Sequence, residues 1–387
     1  MEMKIPRTSI ESLSLDTEAV AGLILSTQKP NGEIPWSPGD KTDPWDLVEA
    51  AMGLSIGGYR QGAERAYAWM TGTQLEDGSW YSSYRDGVPE DRTRDTNVSS
   101  YIAVGVLHHY LITGNQAFLK KMWPMVSAAI EFALGLQRPT GEIYWAISPE
   151  GKVDPMALLT GSSSIYLSIK CGLAIAARLG LSRPRWRASL HALGDAIRNQ
   201  PHLFNITKAR FSMDWFYPIL CGAVTGDQAI RRIFRHWGKF VVKDRGVRCV
   251  SDRPWITIAE TSELCITLAA MGNRKLSETV FGWIQDSRFE DGSYWCGYTF
   301  PDGVIWPEEK ISWTNAAVLL AADALYHLTP ASRLFSHLLW GNVETPEPEE
   351  VQESLPFVPA VGSSEHEAPL GFKPEAAGAD DPTAKFD

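Results

Sequence analysis

Asp43-Pro44-Trp45-Asp46-Leu47-Val48-Glu49-Ala50-Ala51-Met52-Gly53-Leu54 reads as the opening of a helix. Asp43 suits the N-cap and Pro44 the first helical position. Leu47, Val48, Ala51 and Leu54 recur at helical spacing and define an apolar face. Asp46 and Glu49 lie three residues apart, on one side of the first turns, with Trp45 beside them. Taken alone, the two acids only complement the helix macrodipole. The layout returns repeatedly down the chain, and the recurrence points to a fold.

Working outward, helices are expected over about 16–28, 62–74, 96–111, 117–137, 163–179, 185–198, 212–224, 227–240, 259–271, 275–285 and 313–328. No long strand is expected, although Val241-Val242 and Val247–Val250 have the character of a short hairpin. A helix that ends in Gln runs into a Gly turn carrying a Trp, at Gln28/Gly32/Trp36, Gln74/Gly78/Trp80, Gln137/Gly141/Trp145 and, loosely, Gln285/Gly292/Trp295. Glycine permits a positive φ after the helix, and tryptophan packs the turn onto the helix ends. Turn punctuation accounts for these residues, so their role reads as structural. The count is about twelve helices, or six hairpins, and an internal repeat of helix pairs is the signature of a repeat architecture. Segments 101–111, 165–177 and 316–325 are apolar on most sides and belong to an inner ring, while the more charged 62–69 and 185–198 belong to an outer one. The expected fold is therefore all-α: an (α/α)6 barrel over residues 1–340, with a Pro/Glu/Ala/Gly-rich tail, 341–387, read as disordered.

Composition narrows the function classes. The 387 residues are 44% hydrophobic and carry a net charge of -10, which argues against a nucleic-acid partner or an anionic membrane surface. No apolar run is long enough to span a bilayer, and the first residues lack an apolar signal core. Five cysteines without a CxxC pair fit a reducing, cytoplasmic compartment. The fifteen tryptophans fall in connecting segments as well as in helices, where flat rings are candidates for stacking on a ligand.

In such a ring the inner helices run the same way, so their N-termini converge on one mouth. The sequence places there Asp43, Trp45, Asp46 and Glu49; Asp91, Arg94, Asp95 and Asn97; Thr160 and Ser162–Ser164; Ser212, Asp214, Trp215 and Tyr217; Asp252, Arg253, Trp255, Glu260 and Glu263; and Trp306, Glu308, Glu309, Trp313 and Asn315. Each is explicable singly as a cap or a loop ion pair. Together they make a concave surface of carboxylates, hydroxyls, amides and aromatic faces, which is the chemistry of sugar binding. Hydrolysis of a glycosidic bond needs two carboxyl groups, one protonated and one ionised.

The Gln-x-x-(Asp/Asn/Thr)-Gly turns followed by Trp resemble those of the α/α-toroid superfamilies, over about residues 16–328. Two groups are relevant: the six-hairpin, glucoamylase-like glycosidases, and the terpene cyclase and protein prenyltransferase toroids. The resemblance implies the fold more than the activity. The chain lacks the Asp-x-Asp-Asp motif of squalene-type cyclases, and no cysteine has Asp two residues before it, as the prenyltransferase zinc site requires. Glycoside hydrolysis is therefore the preferred reading. A prenyltransferase or cyclase activity and a non-catalytic glycan- or protein-binding toroid are the alternatives. Glu260 is the expected general acid. Asp95 and Asp46 are candidate bases or nucleophiles, with Asp214 next. Trp45, Glu49, Tyr84, Arg85, Asn97, Trp215, Arg253, Trp255, Glu263, Trp295, Tyr298, Trp313 and Asn315 are expected to bind a carbohydrate substrate. No metal or cofactor is called for.

Overall fold

A computed structural model describes residues 15–340; the segment 341–387 expected to be a disordered tail lies outside the described residues. Helices α1 (Thr17–Thr27), α2 (Pro44–Ile56), α3 (Arg60–Thr73), α4 (Thr96–Ser100), α5 (Ile102–Thr113), α6 (Gln116–Gly135), α7 (Leu159–Arg178), α8 (Pro184–Asn199), α9 (Ser212–Leu220), α10 (Gly226–Phe240), α11 (Ile258–Ala270), α12 (Arg274–Gly282) and α13 (Ser312–Tyr326) follow in order. Helices α4 and α5 continue through Tyr101, which keeps right-handed helical angles.

Six helices form a closed inner ring. Helix α2 packs on α5, α5 on α7, α7 on α9, α9 on α11, α11 on α13, and α13 returns to α2. Around them α1, α3, α6, α8, α10 and α12 each pack against inner helices. The sequence explains the division. All residues of α2 are buried, as an inner helix requires. Helix α10 fully buries only Ala229, Ile233 and Phe240 and exposes most of its charged residues, while Arg232 reaches in to donate to Trp215 O and Asp214 O. The ring closes where Ser312 donates to the first hairpin: its N–H to Trp36 O at 2.7 Å and its hydroxyl to Pro35 O at 2.8 Å.

The repeated turns join neighbouring hairpins. The Gln28 amide donates to Gly32 O and to Gly62 O at the start of α3. Gln74 bridges Gly78 O and Met125 O in α6, and Gln137 bridges Gly141 O and Ser189 O in α8. Gly32, Gly78 and Gly141 have φ of 97°, 90° and 104°, and a Cβ on any of them would sit within 2.4 Å of a carbonyl oxygen in that outer helix. Gln285 differs: it donates to Phe281 O in its own helical segment.

The expected hairpin is present, with Val241 opposite Val247 and Val242 opposite Gly246. Trp255–Thr257 and Gly297–Thr299 extend it to four strands. At the C-terminal ends of the inner helices, residues 331–340 cover the ring: Leu334 and Trp340 are buried, and His337 Nε2 lies 2.7 Å from Ile219 O. No helix among the described residues is long and apolar enough to cross a membrane.

Candidate active site

The mouth is built on helix starts. Asp43 caps α2 by accepting from Asp46 N at 2.8 Å, and its other oxygen accepts from Trp36 Nε1 at 3.0 Å. Asp95 caps α4 through bonds from Asn97 N and Val98 N, at 2.7 and 2.9 Å. Asp214, from α9, accepts from the N–H and hydroxyl of Thr160 and so caps the neighbouring α7. Glu260 lies in the first turn of α11. Near the starts of the inner helices five carboxylates are buried: Asp46 at 3% exposure, Glu49 and Asp214 at 5%, Glu260 and Glu263 at 7%. Their clustering is tolerable because the N-termini of the inner helices present positive partial charge there.

Burial nonetheless acts on these acids. It raises Asp95 to about 6, with Asp43 adding like charge and the two backbone N–H groups opposing. It also raises Asp214, against the Thr160 bonds. The Cys249 thiol is pushed well above its usual range, first by burial and then by the adjacent Glu260 carboxylate. Oε2 of Glu260 has no hydrogen-bond partner within the protein.

A buried aromatic cluster takes in the strand that leads into α11. Trp36, Cys296 and Ile311 form a buried cluster, with Trp255 and Trp313 packed against it. Trp255 donates to Trp306 O and meets the Trp306 ring edge-on. Several buried polar atoms near the helix starts also lack a protein partner: Asn97 Oδ1, Trp145 Nε1, Ser162 Oγ, Ser212 Oγ, Thr257 Oγ1 and Trp295 Nε1. Buried polar groups are ordinarily hydrogen-bonded, so each of these atoms is an exception to the rule.

One turn further in, Glu49 Oε1 accepts from Trp45 Nε1 at 2.8 Å and from Tyr101 OH at 3.3 Å. Tyr217 OH donates to Glu263 Oε1 at 2.5 Å. Trp45 stacks on Tyr101 at 4.4 Å and meets Tyr217 at 6.0 Å. Burial and then the neighbouring glutamates push both phenols well above their usual range, so they remain donors. Tyr101 escapes sequence reading as a site residue because it stands inside an apolar helix and its partner Glu49 is remote in sequence. Asp43 reads from sequence as a cap at the mouth, and Cys249 gives no signal there.

Other candidates are turned elsewhere. Trp215 stacks on Phe240 and donates to Arg232 O, so it faces α10 and not the mouth. Tyr84 packs on Trp69 and accepts from Tyr81 N. Arg85 is on the exposed rim, bonded to Glu90 and Gly39 O, and Arg253 is also exposed. Tyr298 donates to Arg245 O. Asn315 accepts from Tyr294 N and donates to Ile311 O, pinning the loop that carries Trp295. Among the described residues no group of His, Cys, Asp and Glu is arranged to hold a metal ion.

Comparison with known proteins agrees with this architecture. No family model matches the chain. Among solved structures, a glycosidase variant in complex with glucose superposes with a TM-score of 0.65 over 84% of this chain and 100% of that one, at 17% identity. A GH63 mannosylglycerate hydrolase from Thermus thermophilus gives 0.61 over 79% and 99%, at 12% identity. A D-mannose isomerase gives 0.64 over 85% and 99%, at 10% identity. At these identities the likeness is one of fold. A sequence relative is more informative: the MMP endo-(1,4)-3-O-methyl-α-D-mannosidase of Mycolicibacterium hassiacum is 48% identical over 315 residues, 81% of this chain and 87% of that enzyme. At this identity over 81% of its length, the chain is a glycoside hydrolase and a member of the family of that mannosidase.

Proposed function

We propose that the enzyme cleaves an internal bond of a (1,4)-linked, 3-O-methylated α-mannoside, with Glu260 as general acid and Asp46 as base or nucleophile. The observation that carries this assignment is the state of Glu260: it is buried beside the Cys249 thiol, with one oxygen that makes no hydrogen bond within the protein. Asp95 and Asp214 each spend an oxygen on capping a helix. Asp46 shares the entry turn of α2 with Asp43 and stands across the α13 position from Glu260 in the ring. The relative's stated activity supports the substrate class. The isoprenoid alternative is disfavoured by the charge: an apolar polyene has no use for five buried carboxylates. The five cysteines are all in the thiol form, four of them buried, which supports a cytoplasmic location.

Replacing Glu260 by Gln keeps the shape and removes the donated proton. Turnover of a 3-O-methyl-mannose oligosaccharide is expected to fall by about 10²–10⁴, with binding and the melting transition nearly unchanged. Near-wild-type turnover by Glu260→Gln would refute the assignment. Activity on an isoprenoid diphosphate, with none on any glycan, would refute the substrate class.

A further inference from the structure

Cys249 stands where three parts of the ring meet. It follows the strand Gly246–Arg248, whose Val247 N–H donates to the hydroxyl of Thr261 at 2.9 Å, and Thr261 is the residue after Glu260 on α11. The Cys249 N–H donates to Trp255 O at 3.2 Å, and its carbonyl accepts from the N–H of Ser212, the first residue of α9, at 2.9 Å. The main chain is thus pinned on both sides by bonds that do not use the side chain. The thiol is hydrogen-bonded to the Glu260 carboxyl group. Oε2 of Glu260 makes no hydrogen bond within the protein, so the thiol meets Oε1.

A general acid has to carry its proton on the oxygen that serves the leaving group. A protonated carboxyl group has one O–H donor and one carbonyl-type acceptor, and its two oxygens are interchangeable until a neighbour distinguishes them. A donor held against Oε1 makes that oxygen the acceptor and leaves the proton on Oε2. We infer that Cys249 is a positioning residue that fixes the catalytic proton of Glu260 on Oε2. This role rests on Glu260 being the general acid proposed above. Burial, and then the Glu260 carboxylate, push the thiol well above its usual range, so it keeps its own proton while Glu260 gives one up and takes one back. Cys296 and Glu263 are the other titratable groups that act on the thiol, and both favour its protonated form. A thiol is a weak donor, so it orders the two oxygens without holding the ionised carboxylate as strongly as a hydroxyl would.

The test compares wild type, Cys249→Ala, Cys249→Ser and Glu260→Gln on two substrates. One is a (1,4)-linked 3-O-methyl-α-mannose oligosaccharide, whose sugar leaving group needs a proton. The other is the same oligosaccharide carrying a dinitrophenolate at its reducing end, which departs without one. Cys249→Ala is expected to lose about 3–10-fold in kcat/KM on the first substrate, the worth of one ordinary hydrogen bond, and nothing on the second. Cys249→Ser should restore kcat/KM on the first substrate, with the alkaline limb of its pH profile moved to lower pH, because a hydroxyl donates more strongly to the ionised carboxylate. A merely structural role would lower both substrates alike. Equal losses by Cys249→Ala on the two substrates, or full activity on both, overturn the inference; Glu260→Gln, impaired on the first substrate and spared on the second, then leaves the general acid standing. Unimpaired turnover of the first substrate by Glu260→Gln overturns the general acid and the inference together. If Cys249→Ala fails to fold, Cys249→Ser decides: an alkaline limb that stays in place overturns the positioning role.

Discussion

Asp95 shows how a helix cap becomes pH-sensitive when it is placed in a crowded mouth. Its folded-state value, about 6, lies above that of an exposed aspartate. The folded chain therefore holds this proton more tightly than the unfolded chain. The associated stability is fully present below the unfolded value, near 4, and is lost as the pH rises through 6. Asp323, raised to about 6 by burial, contributes with the same sign and serves as background. Asn caps a helix about as well as Asp and does not titrate. Thermal melts of Asp95→Asn from pH 4 to 7 should fall less steeply with pH than those of wild type. Parallel curves for the two proteins would show that Asp95 carries no such linkage. The sequence makes Asp95 visible as a cap, but not its proximity to Asp43, which lies on another hairpin. The same limit applies to Trp215. A tryptophan beside Asp214 suggests the mouth, yet neighbouring residues on a helix point about 100° apart. Trp215 turns to α10, while Asp214 and Tyr217, three apart, share the inner face.

Among the elements, the Gln/Gly turns are the most legible, because each uses a local rule three times. Their function is not local, however. Each glutamine amide ties its own turn to the outer helix of the next hairpin, a bond no single-hairpin pattern reveals. The glycines answer for the closeness of that joint. At Gly78 a Cβ would lie 2.3 Å from Ala128 O, and the residue has φ of 90°. Gly292 has nearly the same φ, 87°, with nothing within 4 Å. Gly78→Ala should therefore destabilise the enzyme by about 3 kcal/mol or more in urea unfolding, whereas Gly292→Ala should cost about 1 kcal/mol, the conformational strain alone. Equal costs at the two sites would mean that the joint yields without penalty. The loose fourth match at Gln285 is the odd one in space as in sequence, since its amide bonds back to Phe281. Paired acids at i and i+3, Asp46 with Glu49 and Glu260 with Glu263, are legible because helical spacing puts them on one face. Tyr217 is legible at the mouth for the same reason, but Tyr101 is not, because it meets Glu49 only once α2 and α5 have packed.

At the scale of the molecule, the six-hairpin ring is readable from the alternation of apolar and charged helices, as α2 and α10 illustrate. The four-stranded sheet is only half readable, since Trp255–Thr257 joins the short hairpin across a turn and Gly297–Thr299 joins it from far along the chain. The closure through Ser312 matters beyond architecture, because it fixes when the enzyme can come into being. Its partner Pro35 is 277 residues earlier, and loop closure over such a span must be completed before α2 gains its last neighbour. A chain ending at Lys310, which lacks α13, should remain sensitive to limited proteolysis and inactive; a protease-resistant core of native size would contradict this. During synthesis the ribosome releases α2 about 250 residues before α13. At about 5–20 residues per second that interval lasts roughly ten to fifty seconds. For that time the flank of α2 that α13 will cover is exposed, and the last wall of the ring is missing.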